Sequence, residues 1–156
     1  MLRVAAAMMA LLVCGVTTAA TINVPADYTT IQAAVDAASG GDVILVAPGT
    51  YTGTGNEVVN TDGKAITIRA TGTPEQTIIH GGGARRVITC SSGEGADTII
   101  EGFTITGGSA DDNGGGIYCY STIPNLTIAD CTISDNTAAN YGGGIYCFNS
   151  SPAITG

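Results

Sequence analysis

The sequence predicts an all-β fold of the stacked-repeat kind, a parallel β-solenoid whose coils are about 28 residues long. Three observations carry this. GGGIYC occurs twice, at Gly114–Cys119 and Gly142–Cys147, and the identity extends outward at the same offset. Phe103-Thr104-Ile105 falls on Cys131-Thr132-Ile133, Ile100 on Ile128, and Pro124 on Pro152. Short β-branched runs separated by glycine and Asn/Asp turns, recurring at one fixed period, are what a coil stacked on its own copy requires. The third observation is that the turns lack two-residue hairpin chemistry, so each strand pairs with its equivalent one period on rather than with its neighbour.

Met1–Ala20 reads as a secretory leader: Arg3 is a positive start, Val4–Val16 is a short apolar run, and Thr18-Ala19-Ala20 offers small residues for cleavage. The run is too short to span a bilayer. Val13 is too large for the residue that a lipid-modified Cys14 would need before it. Cleavage would remove one of only five basic residues from a chain whose net charge is −8. Such a surface disfavours nucleic acid and anionic membrane as partners. Localisation is expected to be secreted or cell-surface.

Residues 21–64 read as an N-terminal cap with the first strands. Thr29–Ser39 is the one good helix, with Thr29 and Gln32 as a capping box and Ile31, Ala34, Val35 and Ala38 on one stripe. Gly40-Gly41 ends it. A lone helix with a single apolar stripe should lie across the open end of the coils. Val43–Val46 is a short buried strand, and Ala47-Pro48-Gly49-Thr50 has proline and glycine where a type II turn wants them.

Residues 65–156 are strands and turns. Ile66–Ile68, Thr77–Ile79, Arg86–Cys90, Thr98–Ile100, Phe103–Thr106, Gly116–Cys119, Leu126–Ile128, Cys131–Ser134 and Gly144–Cys147 are the expected strands. Alternation turns Ile117 and Cys119 inward and Tyr118 outward, and it places Phe103, Ile105, Leu126 and Ile128 inside with threonine outside. Equivalent side chains then stack about 4.8 Å apart in files. Ile88, Ile117 and Ile145 form one file, and Cys90, Cys119 and Cys147 the next. Each buried aliphatic rung contributes roughly 1.5–3 kcal/mol. Three cysteines cannot all pair and their Cβ vectors are parallel, so the ladder reads as small apolar packing, with Cys119–Cys147 the first candidate if a disulfide exists. Ser151–Gly156 begins a further copy of the repeat, so the segment is expected to be truncated, with an open last coil able to self-associate.

The run DYTTIQAAVDAASGGDVILVAPGTY at Asp27–Tyr51, followed by AITI, TIIHGGG, IEGFTITGG and the GGGIYC repeats, resembles the secreted right-handed parallel β-helix proteins of pectin-lyase-like fold. The resemblance covers nearly all of the chain after the leader. It implies right-handed coils of three parallel sheets and a helix capping the N-terminal end. The glycine and Asp135-Asn136 turn pattern is also similar to repeats in bacterial surface passengers. The family includes calcium-dependent pectate lyases, which set an arginine base beside calcium-holding carboxylates, and polygalacturonases, which pair aspartates with a histidine and a basic residue. No stretch here matches either set.

Asp111 and Asp112, in the turn before the first GGGIYC, are the candidate metal ligands, since calcium wants several converging oxygens. The competing reading is a solvated turn using Asp and Asn for local hydrogen bonds. Its equivalent one coil on is Ala139-Asn140-Tyr141, so the acids do not repeat. Lys64, Arg69, Arg85 and Arg86 precede the regular repeats, and none shares a repeat with clustered acids. His80–Gly83 resembles an esterase oxyanion loop but has no nucleophile elbow to serve, so it reads as a turn. Asn125-Leu126-Thr127 and Asn149-Ser150-Ser151 are glycosylation sequons that also fit ordinary strand entries. No catalytic set and no cofactor other than calcium is expected. Three functions remain in contention: a secreted scaffold or binding module for polysaccharide or a cell-surface partner, a polysaccharide lyase or hydrolase whose active residues lie downstream, or a segment of a surface adhesin.

Overall fold

A computed structural model describes residues 18–94, 97–121 and 126–156. Most of the expected leader at Met1–Ala20, and the Pro124 and Asn125 of the repeat and sequon, lie outside them. The described chain is a parallel β-solenoid of about four coils. Its strands are β1 (Thr21–Val24), β2 (Val43–Val46), β3 (Gly49–Tyr51), β4 (Glu57–Asn60), β5 (Thr67–Ala70), β6 (Thr77–His80), β7 (Arg86–Cys90) and β8 (Ile99–Glu101). They continue with β9 (Thr104–Thr106), β10 (Ser109–Ala110), β11 (Ile117–Tyr120), β12 (Thr127–Ala129), β13 (Thr132–Ser134), β14 (Thr137–Ala138), β15 (Ile145–Phe148) and β16 (Ala153–Thr155).

The strands sort into a six-stranded sheet ordered β1-β2-β5-β8-β12-β16, two four-stranded sheets ordered β3-β6-β9-β13 and β4-β7-β11-β15, and a two-stranded ladder of β10 and β14. Every pairing is parallel and joins one coil to the next. Ile117 registers with Ile88 on one side and Ile145 on the other, and Cys119 with Cys90 and Cys147. Both expected files are present. The core is a column of inward aliphatics in which Ile44, Val59, Ile79, Ile88, Ile100, Ile105, Ile117 and Ile128 are all buried, with Phe103 among them.

The first coil departs from expectation. The helix, α1, spans Ile31–Ala37 and is capped by Thr30, whose Oγ1 accepts from the Ala33 amide, rather than by Thr29. Gln32 reaches away from the cap to bond both the amide and the carbonyl of Asn60. The Lys64 ammonium donates to the carbonyls of Val35 and Asp36, supplying positive charge where the helix leaves its last carbonyls open. β1 and β4 were not expected as strands, yet α1 packs on both of them and on β2, covering the first strands of two sheets. In place of a type II turn, Gly49 opens β3, and the Tyr51 hydroxyl closes the corner on the Ala47 carbonyl.

Threonine does not always face out. Thr61, Thr77 and Thr98 are fully buried. Thr98 Oγ1 donates to the Lys64 carbonyl, and Thr61 Oγ1 donates at 2.7 Å to the buried carboxylate of Glu94. That carboxylate also accepts from the amides of Gly63, Ser91 and Ser92, so it staples one turn to the turn above. A buried charge is tolerated here because its oxygens are met by donors.

The glycine triplets have a steric origin. A Cβ at Gly115 would stand 1.9 Å from the Thr137 carbonyl oxygen, and one at Gly116 would stand 2.4 Å from that of Gly144. The β10–β14 ladder runs against the entry to β11 and β15 at backbone contact, a distance open only to glycine. Gly114 and Gly142 turn the chain at φ of 67° and 64°. Asn136 occupies the space above Gly108: its carboxamide accepts from the Gly108 amide and donates to the Ile105 carbonyl.

Candidate functional site

The side chains with chemistry to offer gather beside β4, β7, β11 and β15. Coil stacking makes neighbours of residues that are distant in the chain. The loop of residues 52–56 doubles back over β4, so close that a Cβ on Gly53 would meet Val58 Cα at 2.7 Å. Arg85 Nη1 donates to the Gly53 carbonyl and holds the loop to the next coil. One coil further, Arg86 enters the turn that carries the acids. Its Nη2 donates to Asp112 Oδ1 and to the Asn113 carbonyl at 2.7 Å, and its Nε donates to the Gly114 carbonyl at 2.9 Å. The guanidinium carbon also lies 4.4 Å from the centre of the Tyr118 ring.

No basic residue shares a repeat with clustered acids in the sequence, yet coil stacking brings Arg86 to Asp112. Arg86 and Asp112 form an ion pair although 26 residues separate them. Arg86 is committed to carboxylate, carbonyls and ring together, an arrangement that suits its planar fork. Asp111 and Asp112 both line a cavity of ≈ 310 Å³ together with Arg85, Arg86, Asn56 and Glu57. Asp111 is exposed. Calcium takes about six to eight oxygens. Of the two carboxylates in this turn, Asp112 already neutralises an arginine, and among the described residues no three His, Cys, Asp or Glu side chains converge as for a metal ion.

A second cavity of ≈ 350 Å³ shares Gly55, Asn56 and Glu57 with the first, so the two form one trough along the loop. Its walls are mostly polar, Thr30, Gln32, Thr52, Thr54 and Asn60 over Val58, with the carboxylate of Asp62 at one side. Glu57 stands where the two halves meet and accepts from Asn60 Nδ2 at 3.2 Å. No periodicity marks the loop, so sequence reasoning missed this half altogether.

Beside the trough, four outward rings form a grid. Tyr118 stacks on Tyr146 at 5.6 Å between centroids and Tyr120 on Phe148 at 5.7 Å, while Tyr118 and Tyr120 lie 6.2 Å apart along β11. The interplanar angles are 14°, 4° and 7° in the same order. In-register pairing of equivalent residues produces this parallelism, because each ring inherits the rotamer of the one below. Tyr120 and Phe148 are 39% and 47% exposed, so the outer column is open to a ligand. Burial raises the Tyr118 hydroxyl above its ordinary value against the opposing pull of Arg86.

The remaining candidates fold into structure. His80 ends β6, and its Nδ1 accepts from the Gly82 amide, so His80–Gly83 is a turn. Cys90, Cys119, Cys131 and Cys147 are free thiols. Contact with the Cys90 thiol, together with burial, pushes Cys119 far up, and burial raises Cys131 and Cys147. Thiols held protonated pack rather than attack. Compared with known proteins, the chain matches no family model, no curated protein and no solved structure.

Proposed function

We propose that this chain is a secreted, right-handed β-solenoid of the three-sheet, pectin-lyase-like kind whose task is to bind polysaccharide. The single observation that carries the reading is the grid of Tyr118, Tyr120, Tyr146 and Phe148 set beside the polar trough. Aromatic faces and edges offer apolar contact at little entropic cost, and stiff β-strands hold them in a row. A polymer of sugar rings presents alternating C–H faces and hydroxyls, which match the rings and the trough respectively. A platform built on strands is also preorganised, so less ordering opposes binding.

A polysaccharide lyase or hydrolase is the second reading, favoured by the placement of Arg85 and Arg86 beside Asp111 and Asp112. A lyase needs a base at the proton to be removed. Arg86 is paired and stacked, which leaves Arg85 as the guanidinium nearest to that role.

One experiment addresses both. The protein is run in affinity gels containing xylan, galactan or polygalacturonate, and the same mixtures are followed for unsaturated product and reducing ends. Retardation without product, lost in a Tyr120→Ala, Phe148→Ala double variant, is the expected outcome. Retardation unchanged in that variant would remove the aromatic grid from the reading. Product formation with or without calcium would promote the enzyme.

A further inference from the structure

Resting on that reading, we infer that the trough selects an uncharged oligosaccharide and that Glu57 and Asp111 are the residues that exclude acidic sugars. The argument is one of hydrogen-bond chemistry. An ionised carboxylate only accepts, a guanidinium only donates, and hydroxyls and carboxamides do both. The larger half of the trough offers threonine hydroxyls and the carboxamides of Asn56 and Asn60, which can answer a sugar hydroxyl in either sense. The charged half adds Glu57, Asp111 and Asp112 against Arg85 and Arg86. Arg86 is spent on Asp112 and Arg85 Nη1 on the Gly53 carbonyl. Glu57 and Asp111 therefore face this half as acceptor-only carboxylates, with Asp62 at the far side of the other half and the rest of the Arg85 guanidinium as the donor.

A neutral sugar satisfies that set, since its hydroxyls donate to Glu57 and Asp111 and accept from Arg85. A uronate brings a further acceptor-only group of the same sign, which these carboxylates repel. The whole chain, at net −8, adds repulsion of the same sign at longer range. Thr52, Thr54 and Asn56 lie on the surface loop, so a ligand reaches them without any rearrangement of the coil. The two cavities together fall in the size range of ordinary ligand sites.

Xylohexaose, cellohexaose, galactohexaose and hexagalacturonate serve as probes in calorimetry, in a chelator so that no divalent ion bridges like charges. Three proteins are compared: the wild type, a Glu57→Gln, Asp111→Asn double variant, and Asn56→Ala, each first shown to melt at the wild-type temperature. The inference expects at least one uncharged hexamer to bind the wild type while hexagalacturonate does not. The double variant should gain hexagalacturonate binding by about tenfold or more, since both like charges are removed. Asn56→Ala should weaken the uncharged hexamer severalfold. Equal wild-type affinity for hexagalacturonate would overturn the selectivity and leave the glycan reading standing. Discrimination that survives in the double variant would remove Glu57 and Asp111 from the role, and an unchanged Asn56→Ala would remove the trough. Failure of every hexamer to bind the wild type would overturn this inference and the glycan reading together.

Discussion

At Gly115 the obstacle to any side chain is the Thr137 carbonyl oxygen, 1.9 Å from where a Cβ would lie. Backbone cannot move aside without parting β10 from β14, so the strain has nowhere to go. Gly115→Ala is expected to lose about 3 kcal/mol or more, at the severe end of overpacking. Gly82 makes the control: its φ is 70° and nothing lies within 4 Å of its virtual Cβ. Gly82→Ala should cost only about 1 kcal/mol, the ordinary penalty of a left-handed residue with a side chain. Similar denaturant midpoints for the two variants would show that the triplet is not there for close approach.

Among the elements, the N-terminal cap is tied by two carboxylates that folding makes more acidic. Asp27 is held below its ordinary 3.8 by the Asn23 amide, and Asp42 by the Ser39 amide and then that of Ala20. Both values are depressed on folding, so the stability they contribute is complete above the unfolded value and is lost as pH falls below about 4. Amide exchange at pH 2.5 should therefore show β1 and the α1 termini losing protection before β7 and β11. Loss of protection at one pH throughout would rule this out. The same elements show how far the sequence can be read. Val43–Val46 and Arg86–Cys90 have the bounds read from the chain, and the Ile117 and Cys119 files hold in register, because a repeat exposes its period twice. β1, β4 and the 52–56 loop occur once, with no copy to compare. The Arg86–Asp112 pair is hidden for a different reason. Its separation is not that of equivalent residues, so only a side chain reaching along the coil axis brings the two together. The aromatic grid is half legible: alternation turns tyrosine outward, but its stacking with Tyr146 and Phe148 depends on register.

Over the whole molecule the inward column is continuous, so damage at one rung should not stay local. Ile117 is buried with Ile88 and Ile145 above and below it. Ile117→Asp places a carboxylate between two alkyl groups with no donor to meet it, and the expected result is no cooperative melt at neutral pH. Tyr118→Ser removes ring stacking from the outer face and should lower stability by only about 1 kcal/mol. Comparable circular-dichroism melts for the two would mean that the inward and outward faces are exchanged.

The parallel register has one more consequence, for the arithmetic of insertions. Because Ile117 sits on Ile145 and Tyr118 on Tyr146, a whole coil is a self-complementary tile whose upper and lower edges match. Duplicating a full period between Ala110 and Ala138 would add a storey to the column, lengthening the row of rings without altering any existing contact. Inserting one residue within a strand would instead reverse every side chain after it in that strand, inside for outside. Length in this molecule is quantised, and the quantum is the coil.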